Sequence, residues 1–179
     1  MPEELTFETA TARPDLLARP VLAALVVGAG ASGAADATVA EIDPEAADTP
    51  TFCERYGISM QESANCVVVA GRRGGETQLA ACMVLATTKA DVNGLVRREL
   101  GARKASFASM DRAVAETGME YGGITPLGLP ADWPLLIDSS VAEASGVIIG
   151  SGLRRSKLWV PGALLAALPS ATIHDGLGQ

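Results

Sequence analysis

The sequence has few of the residues on which common catalytic sites depend. Only one of its 179 residues is a histidine, His174, and it lies close to the C-terminus. A Ser-His-Asp or Cys-His site would need this histidine as its base, and its position in the tail argues against both kinds of site. Aromatic residues make up 4% of the chain and hydrophobic residues 48%, so Ala, Val, Leu and Ile must build most of the core.

Cysteine is almost as scarce. Cys53, Cys66 and Cys82 are odd in number, and no two of them have the C-x-x-C spacing. A disulfide framework and a zinc site are therefore not expected, and we expect no metal or other cofactor. We expect Cys66 and Cys82 to be reduced and buried as small hydrophobic residues, whereas Cys53 lies on a short predicted helix and is less constrained.

Long hydrophobic runs are absent as well. The most apolar run covers residues 21–31, which is shorter than the roughly 20 residues that a membrane-spanning helix needs. It follows Glu3, Glu4, Glu8 and Asp15 and so lacks the basic start of a signal peptide. The sequence predicts a cytoplasmic protein that has no membrane partner.

The net charge of −7 is spread unevenly. Residues 1–65 carry 11 acidic and 3 basic side chains (−8), and residues 66–179 carry 10 acidic and 11 basic ones (+1). The basic residues fall in four short groups: Arg72-Arg73, Arg97-Arg98, Arg103-Lys104, and Arg154-Arg155 with Lys157. An acidic protein does not coat duplex nucleic acid, but such groups can hold one end of it. A solvated surface is the alternative for each group, and the one we favour for Arg97-Arg98.

Turn residues divide the first third of the chain into four predicted segments. They are a polar arm (1–13), a helix that begins at Pro14 and ends at the glycines of 28–33, an acidic loop (31–48) and a short helix (50–56). For the short helix, Thr49 is the predicted N-cap and Gly57 the stop. We expect residues 1–48 either to belong to the domain formed by 49–179 or to extend it.

The middle of the chain carries the strongest strand pattern. Residues 66–70 and 79–86 are apolar on both faces, and the Gly-rich segment 71–76 is typical of a turn. We predict an antiparallel hairpin whose strands lie in the interior of a sheet. Further strands are predicted at 104–108, 134–138, 146–150, 158–160 and 171–173, and further helices at 92–100, 110–117 and 162–168. Without a regular βαβ order, the predicted class is α+β with a mixed, mainly antiparallel sheet.

The segment Gly122-Gly123-Ile124-Thr125-Pro126-Leu127-Gly128 is the most distinctive loop. Its first two glycines allow backbone conformations that a Cβ would forbid, whereas the next three residues are stiff. A rigid loop with free backbone N–H groups can hold a carbonyl or phosphate oxygen. An ordinary turn is the alternative. If the loop binds substrate, Gly123→Val should abolish activity with a much smaller loss of stability.

Several pieces of the sequence follow one another, from about Ser63 to Ile173, in the order and spacing of a known family. They are the hairpin 65–86 with Val84-Leu85-Ala86-Thr87, the helix ending in Leu100-Gly101-Ala102-Arg103-Lys104, the loop 122–128, Leu136-Ile137-Asp138-Ser139-Ser140, Gly150-Ser151-Gly152, and the helix 161–168. This arrangement resembles the YbaK-like (Cys-tRNA(Pro) deacylase-like) aminoacyl-tRNA editing domains, which are related to the insertion domain of bacterial prolyl-tRNA synthetases.

The resemblance implies hydrolysis of a mischarged aminoacyl ester at the terminal adenosine of tRNA. The implied partners are the tRNA acceptor end and, as a further candidate, a synthetase. In that family the loop offers backbone amides to the substrate carbonyl, and the ribose hydroxyl of the substrate helps to position water. The residues that the resemblance assigns to catalysis here are Gly122, Gly123, Ile124, Thr125 and Pro126. Those assigned to substrate binding are Asp138, Ser139, Ser151 and Gly152.

One difference from the family concerns charge. The lysine that family members carry at the head of the first hairpin strand aligns with Asn65, which can donate hydrogen bonds but carries no charge. Asn65 is therefore the predicted catalytic residue at that position. Lys89 is a candidate for the missing cation, with a solvated loop lysine as the alternative. The alternative to a deacylase is a module that binds an aminoacyl-adenosine end or a small ligand without hydrolysis, or docks on a synthetase through the acidic residues 1–65.

Overall fold

Nine strands and six α-helices form the part of the chain that the computed structural model describes, residues 2–28 and 34–179. The strands are β1 (Phe7–Thr9), β2 (Thr38–Glu41), β3 (Ala64–Arg73), β4 (Glu76–Leu85), β5 (Lys104–Phe107), β6 (Leu135–Asp138), β7 (Val147–Gly150), β8 (Ser156–Val160) and β9 (Ala171–His174). The helices are α1 (Arg19–Val27), α2 (Thr49–Tyr56), α3 (Arg97–Glu99), α4 (Met110–Thr117), α5 (Ser139–Ala142) and α6 (Gly162–Ala166). A π-helix, Val92–Val96, leads into α3.

The strands form two sheets. The first has the order β1-β2-β8-β7 and is antiparallel throughout. The second has the order β5-β3-β4-β6-β9, with antiparallel pairing up to β4 and parallel pairing of β4, β6 and β9. A parallel bridge between Ser63 and Ile148 links the two sheets at the start of β3. The predicted α+β class with mainly antiparallel pairing is confirmed, although the strands divide between two sheets.

The predicted hairpin is confirmed as β3 and β4, which pair from Ala64↔Leu85 to Arg73↔Glu76. Each strand has a second neighbour, β5 for β3 and β6 for β4, so both lie in the interior of the sheet. The turn is shorter than predicted. Only Gly74 and Gly75 lie between the strands, with φ of +58° and +82°, and positive φ at both positions is what a two-residue type I′ turn requires.

Local capping signals place several helices. In α4, the Ser109 hydroxyl accepts a hydrogen bond from the Arg112 N–H, and Gly118 ends the helix in the left-handed region, as predicted. In α2, the N-cap is Asp48, whose carboxylate accepts from the Thr51 N–H, so the helix begins one residue earlier than predicted. None of the helices described is both long and apolar enough to cross a membrane.

The prediction for the N-terminal third is wrong in part. Residues 38–41 of the predicted loop form β2, because Val39 and Ala40 are fully buried where β2 pairs with β8. Two apolar residues are too short a pattern to predict a strand. Pro14 begins a 3₁₀ turn, and the helix starts at Arg19. The helix ends at Val27 with Gly28 as its C-cap, as predicted. Positions 29–33, which hold the rest of the predicted glycine-rich end and the start of the predicted loop, lie outside the described residues. The domain boundary at residue 49 stays a prediction.

The largest hydrophobic core draws on both sheets. The first sheet contributes buried residues such as Val39, Ile149 and Leu158. The second sheet contributes Ala81, Met83 and Ile137. Helices α1 and α6 contribute Val21, Leu25 and Leu165 to the same core. Aliphatic and small residues dominate it, as the low aromatic content predicts. This shared core fixes how β3 lies relative to β7 and β8. All three strands contribute residues to the lining of one cavity.

Candidate functional site

A cavity of about 580 Å³ opens at the junction of the two sheets. One wall is the start of β3, from Ala64 to Val68. The segment Ala47–Thr49, which leads into α2, forms a second wall. Residues of the loop 121–124 and of β7 line the rest of the cavity, together with Arg154 and Lys157.

The Gly122–Pro126 loop is held from behind by backbone hydrogen bonds at Gly123. The Gly123 N–H donates to the Glu120 carbonyl oxygen (3.0 Å), and the Gly123 carbonyl accepts from the Gly152 N–H (2.7 Å). A Cβ on Gly123 would lie 2.7 Å from the backbone of Leu153, so only glycine allows this close approach. The predicted donor Gly123 is therefore already engaged within the protein.

Two other N–H groups of the loop are the available donors. Gly122 and Ile124 both line the cavity, and neither N–H has a hydrogen-bond partner within residues 2–28 and 34–179. Gly122 has a φ of +79°, which favours glycine. Thr125 is fully buried and Pro126 is buried behind the cavity wall, so neither side chain lines the site.

Asn65 lines the cavity and is half-buried. Its Oδ1 accepts a hydrogen bond from the Thr49 hydroxyl at 2.7 Å. The Asn65 amide nitrogen has no partner in the described part of the chain, so it is a donor available to a ligand. The structure thus brings Asn65, Gly122 and Ile124 to one cavity, whereas their catalytic role stays a prediction.

Lys157 belongs to a basic group noted in the sequence but was not among the predicted site residues, and its side chain is one of the two cations that line this cavity. It lies on β8, is only 6% exposed, and donates from Nζ to the Ala47 carbonyl oxygen at 2.7 Å. Nζ also lies 5.4 Å from the centroid of the Phe52 ring. Among the residues described, no carboxylate lies within 4.0 Å of this ammonium. Its sequence signals are its place in the basic group with Arg154 and Arg155 and its position within the apolar pattern of β8.

Burial lowers the pKa of the Lys157 side chain. Desolvation lowers the pKa of its ammonium to about 8. Cys53 and Asp48 act in the opposite direction, and the nearby charge of Arg154 lowers the pKa further. An ammonium with this pKa is mostly charged at neutral pH but exchanges its proton readily, which is typical of functional lysines.

Arg154 adds a second cation and ties the loop to the opposite wall. Its guanidinium donates to the carbonyl oxygens of Tyr121 (3.0 Å) and Pro44 (2.9 Å). Its backbone N–H donates to the Glu120 carboxylate (2.7 Å). The cavity thus has two cationic side chains against a single lining carboxylate, that of Asp48, although the chain as a whole is acidic. This polarity suits an electron-rich ligand.

Three large side chains form an apolar rim where the cavity meets solvent. They are Phe107, Met110 and Tyr121, which are 63%, 49% and 55% exposed and all line the cavity. Exposed aromatic side chains beside cations are typical of sites that stack nucleic-acid bases.

Cys66 and Cys82 are poorly suited to act as nucleophiles. All three are free thiols, and Cys53 and Cys82 are buried. Cys66 is half-buried and lines the cavity, so the prediction of full burial is wrong for it, because the cavity opens beside this end of β3. Desolvation raises the pKa of the Cys66 thiol well above its ordinary value, and burial raises that of Cys82 to about 12. The thiolate forms that could attack a substrate are therefore disfavoured.

Ser151, Gly152, Asp138 and Ser139, which were also predicted to belong to the site, do not line the cavity. Their contacts stabilise the fold. Ser151 is fully buried, with its hydroxyl bonded to the Ser156 hydroxyl at 2.7 Å. Gly152 supports the loop through its bond to Gly123. Asp138 caps α5, which begins at Ser139, and accepts from the Gly178 N–H at 2.8 Å.

Lys89 is not the missing cation. Its backbone N–H and carbonyl both pair with Gln179, at 2.8 and 2.9 Å, and its side chain does not line the cavity. The loop after β4 therefore binds the C-terminal residue through its backbone. The single histidine, His174, is also outside the site and contacts the Thr172 hydroxyl on β9.

Comparisons with known proteins cover the residues that line this cavity. The family model for the aminoacyl-tRNA editing domain matches residues 43–168. A crystal structure of a candidate trans-editing enzyme for prolyl tRNA synthetase is 21% identical, with a TM-score of 0.73 over 90% of this chain and 96% of that one. A scaffold protein used for epitope backbone grafting is 22% identical, with a TM-score of 0.73 over 90% and 97% of the two chains. The hypothetical protein APE2540 is 18% identical, with a TM-score of 0.68 over 79% and 90%.

Proposed function

The chain belongs to the aminoacyl-tRNA editing domain family, and on this premise we propose that it is a trans-editing deacylase. Its reaction is hydrolysis of a mischarged aminoacyl ester at the terminal adenosine of tRNA. The observation that carries the proposal is the convergence of donors on one cavity. The N–H groups of Gly122 and Ile124, the amide of Asn65 and the ammonium of Lys157 all belong to residues that line it.

These donors suit a reaction in which water is the nucleophile. Water adds to the ester carbonyl carbon, and negative charge develops on the carbonyl oxygen. The N–H groups of Gly122 and Ile124 stabilise this charge, since a single such donor is worth roughly 3 kcal/mol in the barrier. The C–O bond to the ribose then breaks, the leaving ribose oxygen takes up the proton that the water gives up, and the water's oxygen stays on the released amino acid as part of its carboxyl group. The ribose hydroxyl of the substrate helps to position the water, so no side-chain nucleophile is required.

The rim and the cations suit the nucleotide part of the substrate. Phe107 and Tyr121 offer exposed ring faces on which the terminal adenine can stack. Lys157 donates a charge-assisted hydrogen bond to a ribose or ester oxygen, the role that the alignment had left without a cation at Asn65. Arg154, at the edge of the cavity, adds positive charge where the backbone of the nucleotide enters.

A deacylation panel tests the proposal. The full chain is incubated with tRNAs charged with Ala, Ser, Cys or Thr, and with correctly charged tRNAs as controls, and release of the amino acid is measured. We expect one or two mischarged species to be hydrolysed far faster than the controls. Tight binding of an aminoacyl-tRNA analogue without hydrolysis of any species would contradict the deacylase and favour the non-catalytic binding module.

Variants of Asn65 test its place in the site. Asn65→Ala removes the amide donor and leaves the Thr49 hydroxyl without its acceptor, so we expect acceptor-end binding to weaken by about 10-fold. Asn65→Lys adds a cation, and we expect tighter binding with a steeper salt dependence. Affinity for a non-hydrolysable aminoacyl-adenosine analogue and the deacylation rate are measured for both. If both variants fold and neither quantity changes, Asn65 only ends the turn before β3.

A further inference from the structure

A second, shallower groove of about 300 Å³ brings together basic residues that are far apart in the sequence. Four cationic side chains line this basic groove: Arg72 from β3, Arg97 from α3, and Arg103 with Lys104 at the start of β5. Asn93, Ala105 and Ser106 complete it. Three of the four basic groups noted in the sequence therefore meet at one place, including Arg97, for which a solvated surface was the favoured interpretation.

The cations of the basic groove are not neutralised within the protein. None of its lining residues is acidic, and none of the four side chains forms an ion pair within the described ranges. The one side-chain contact is from Arg72 to the Ser106 hydroxyl at 3.4 Å. Like charges that converge on a surface repel one another unless an anionic ligand binds between them. The net charge of −7 makes this local excess of positive charge the more distinctive.

The basic groove and the cavity are lined by consecutive residues of β5. Lys104, Ala105 and Ser106 line the groove, and the next residue, Phe107, belongs to the rim of the cavity. Three residues of an extended strand span roughly 10 Å. β5 is also the outermost strand of its sheet, next to β3 alone. A single extended polyanion can therefore reach from the rim to the groove.

We propose that the basic groove binds the phosphate backbone of the RNA whose 3′ end enters the cavity. The inference rests on the proposed function, since the cavity sets which end of the RNA lies at Phe107. Guanidinium groups bind phosphate oxygens in a bidentate manner, and three of the four cations are arginines. The groove thus holds the acceptor arm through its phosphates, and the cavity reads the aminoacyl end.

The test compares two double variants of exposed residues. Arg97→Gln/Lys104→Gln removes two charges from the groove, and Arg19→Gln/Arg112→Gln removes two charges from elsewhere on the surface. Each is assayed on a mischarged tRNA and on the corresponding aminoacyl-adenosine. For the groove variant we expect KM for the tRNA to rise about 10-fold with kcat unchanged, and the salt slope of binding to fall by about 0.7–0.9 for each phosphate that the groove no longer neutralises. Its hydrolysis of aminoacyl-adenosine and the behaviour of the control should match the parent.

The outcomes separate this inference from the proposed function. Suppose that the parent hydrolyses mischarged tRNA and the groove variant matches it in KM and salt slope. The proposal that the groove binds RNA is then overturned, whereas the proposal that the protein is a deacylase is supported. If the parent hydrolyses neither substrate, the deacylase fails, and the groove is judged on binding of an uncharged acceptor-stem hairpin. Weaker, less salt-dependent hairpin binding by the groove variant than by the control supports the groove. Equal binding overturns it, and loss of binding to a synthetase alone would assign the groove to a protein partner.

Discussion

Lys157→Met is expected to lower kcat/KM for deacylation by about 100-fold while leaving the protein at least as stable as the parent at pH 7. Methionine keeps the apolar stem that packs near Phe52 and removes the ammonium that lies in the cavity. The Ala47 carbonyl loses its donor, which costs about 1 kcal/mol. Removing a buried charge without a carboxylate partner gains more than that, so a fall in activity with no fall in stability would identify a functional residue.

The pH dependence of stability gives an independent reading of Lys157. Its pKa is about 8 in the folded protein and about 10.4 in an unfolded chain. Between these values the unfolded state binds more protons, so this group makes the stability of the parent rise with pH from about 8 to about 10.4. Below pH 8 the buried ammonium costs on the order of 3 kcal/mol. Urea unfolding of parent and Lys157→Met at pH 7 and pH 10 should show a difference that shrinks at the higher pH.

Activity should respond to pH in the opposite sense. The ammonium is charged below about pH 8, so the charge that strengthens its hydrogen bond to the substrate is present there and is lost as the pH rises. We expect the ratio of kcat/KM between parent and Lys157→Met to fall towards one above pH 8. Lys89→Met is the matched control, because Lys89 is exposed and outside the cavity lining. Equal losses of activity in both variants, or a constant ratio across pH, would contradict the role of Lys157.

Gly123→Ala is expected to destabilise the fold by about 2 kcal/mol and to abolish most of the deacylation. The added Cβ would lie 2.7 Å from the carbonyl carbon and oxygen of Leu153, and backbone atoms cannot move aside as a flexible side chain can. The loop must shift, and the N–H groups of Gly122 and Ile124 shift with it. The sequence-based expectation for Gly123→Val, loss of activity with a much smaller loss of stability, is therefore revised, since a side chain at Gly123 would meet the backbone of Leu153.

Gly118→Ala is the control for the cost of replacing a glycine. Gly118 has a φ of +67°, and a Cβ there would meet nothing within 4 Å, so the variant reports backbone strain alone. Both variants are compared by urea unfolding, and their deacylation is measured under conditions in which each is fully folded. Equal stability and full activity of Gly123→Ala would show that the loop adapts and that its exact position does not matter.

The parts of the fold that sequence reasoning predicts are those with local causes. Ser109 and Gly118 begin and end α4 by contacts within a few residues. The continuous apolar runs of β3 and β4 need only each other and a glycine turn to form a hairpin. β2 could not be predicted in this way. Its two buried residues become a strand only because β8, more than 100 residues later, pairs with them.

The candidate site also combines residues with local sequence patterns and residues whose role depends on distant parts of the chain. The loop at 122–126 and the strand at Asn65 carry local patterns, and the structure places them at one cavity. The contributions of Lys157, Arg154 and the basic groove depend on distant partners. Lys157 is a functional candidate because it is buried in the cavity and bonded to the Ala47 carbonyl, 110 residues earlier. A lysine within an apolar strand pattern does not by itself predict that contact.

The position of β2 between β1 and β8 has a consequence for any truncated form of this protein. A chain that starts at Thr49 would lack β2, and the strand that carries Lys157 would expose a row of unsatisfied backbone N–H and C=O groups. Such a row is a template for pairing with another molecule, so we expect the shortened protein to aggregate. The carbonyl of Ala47 would be removed with it. Whether the acidic residues 1–65 dock on a synthetase is therefore better tested by neutralising exposed carboxylates such as Glu4 and Glu41 in the full-length chain.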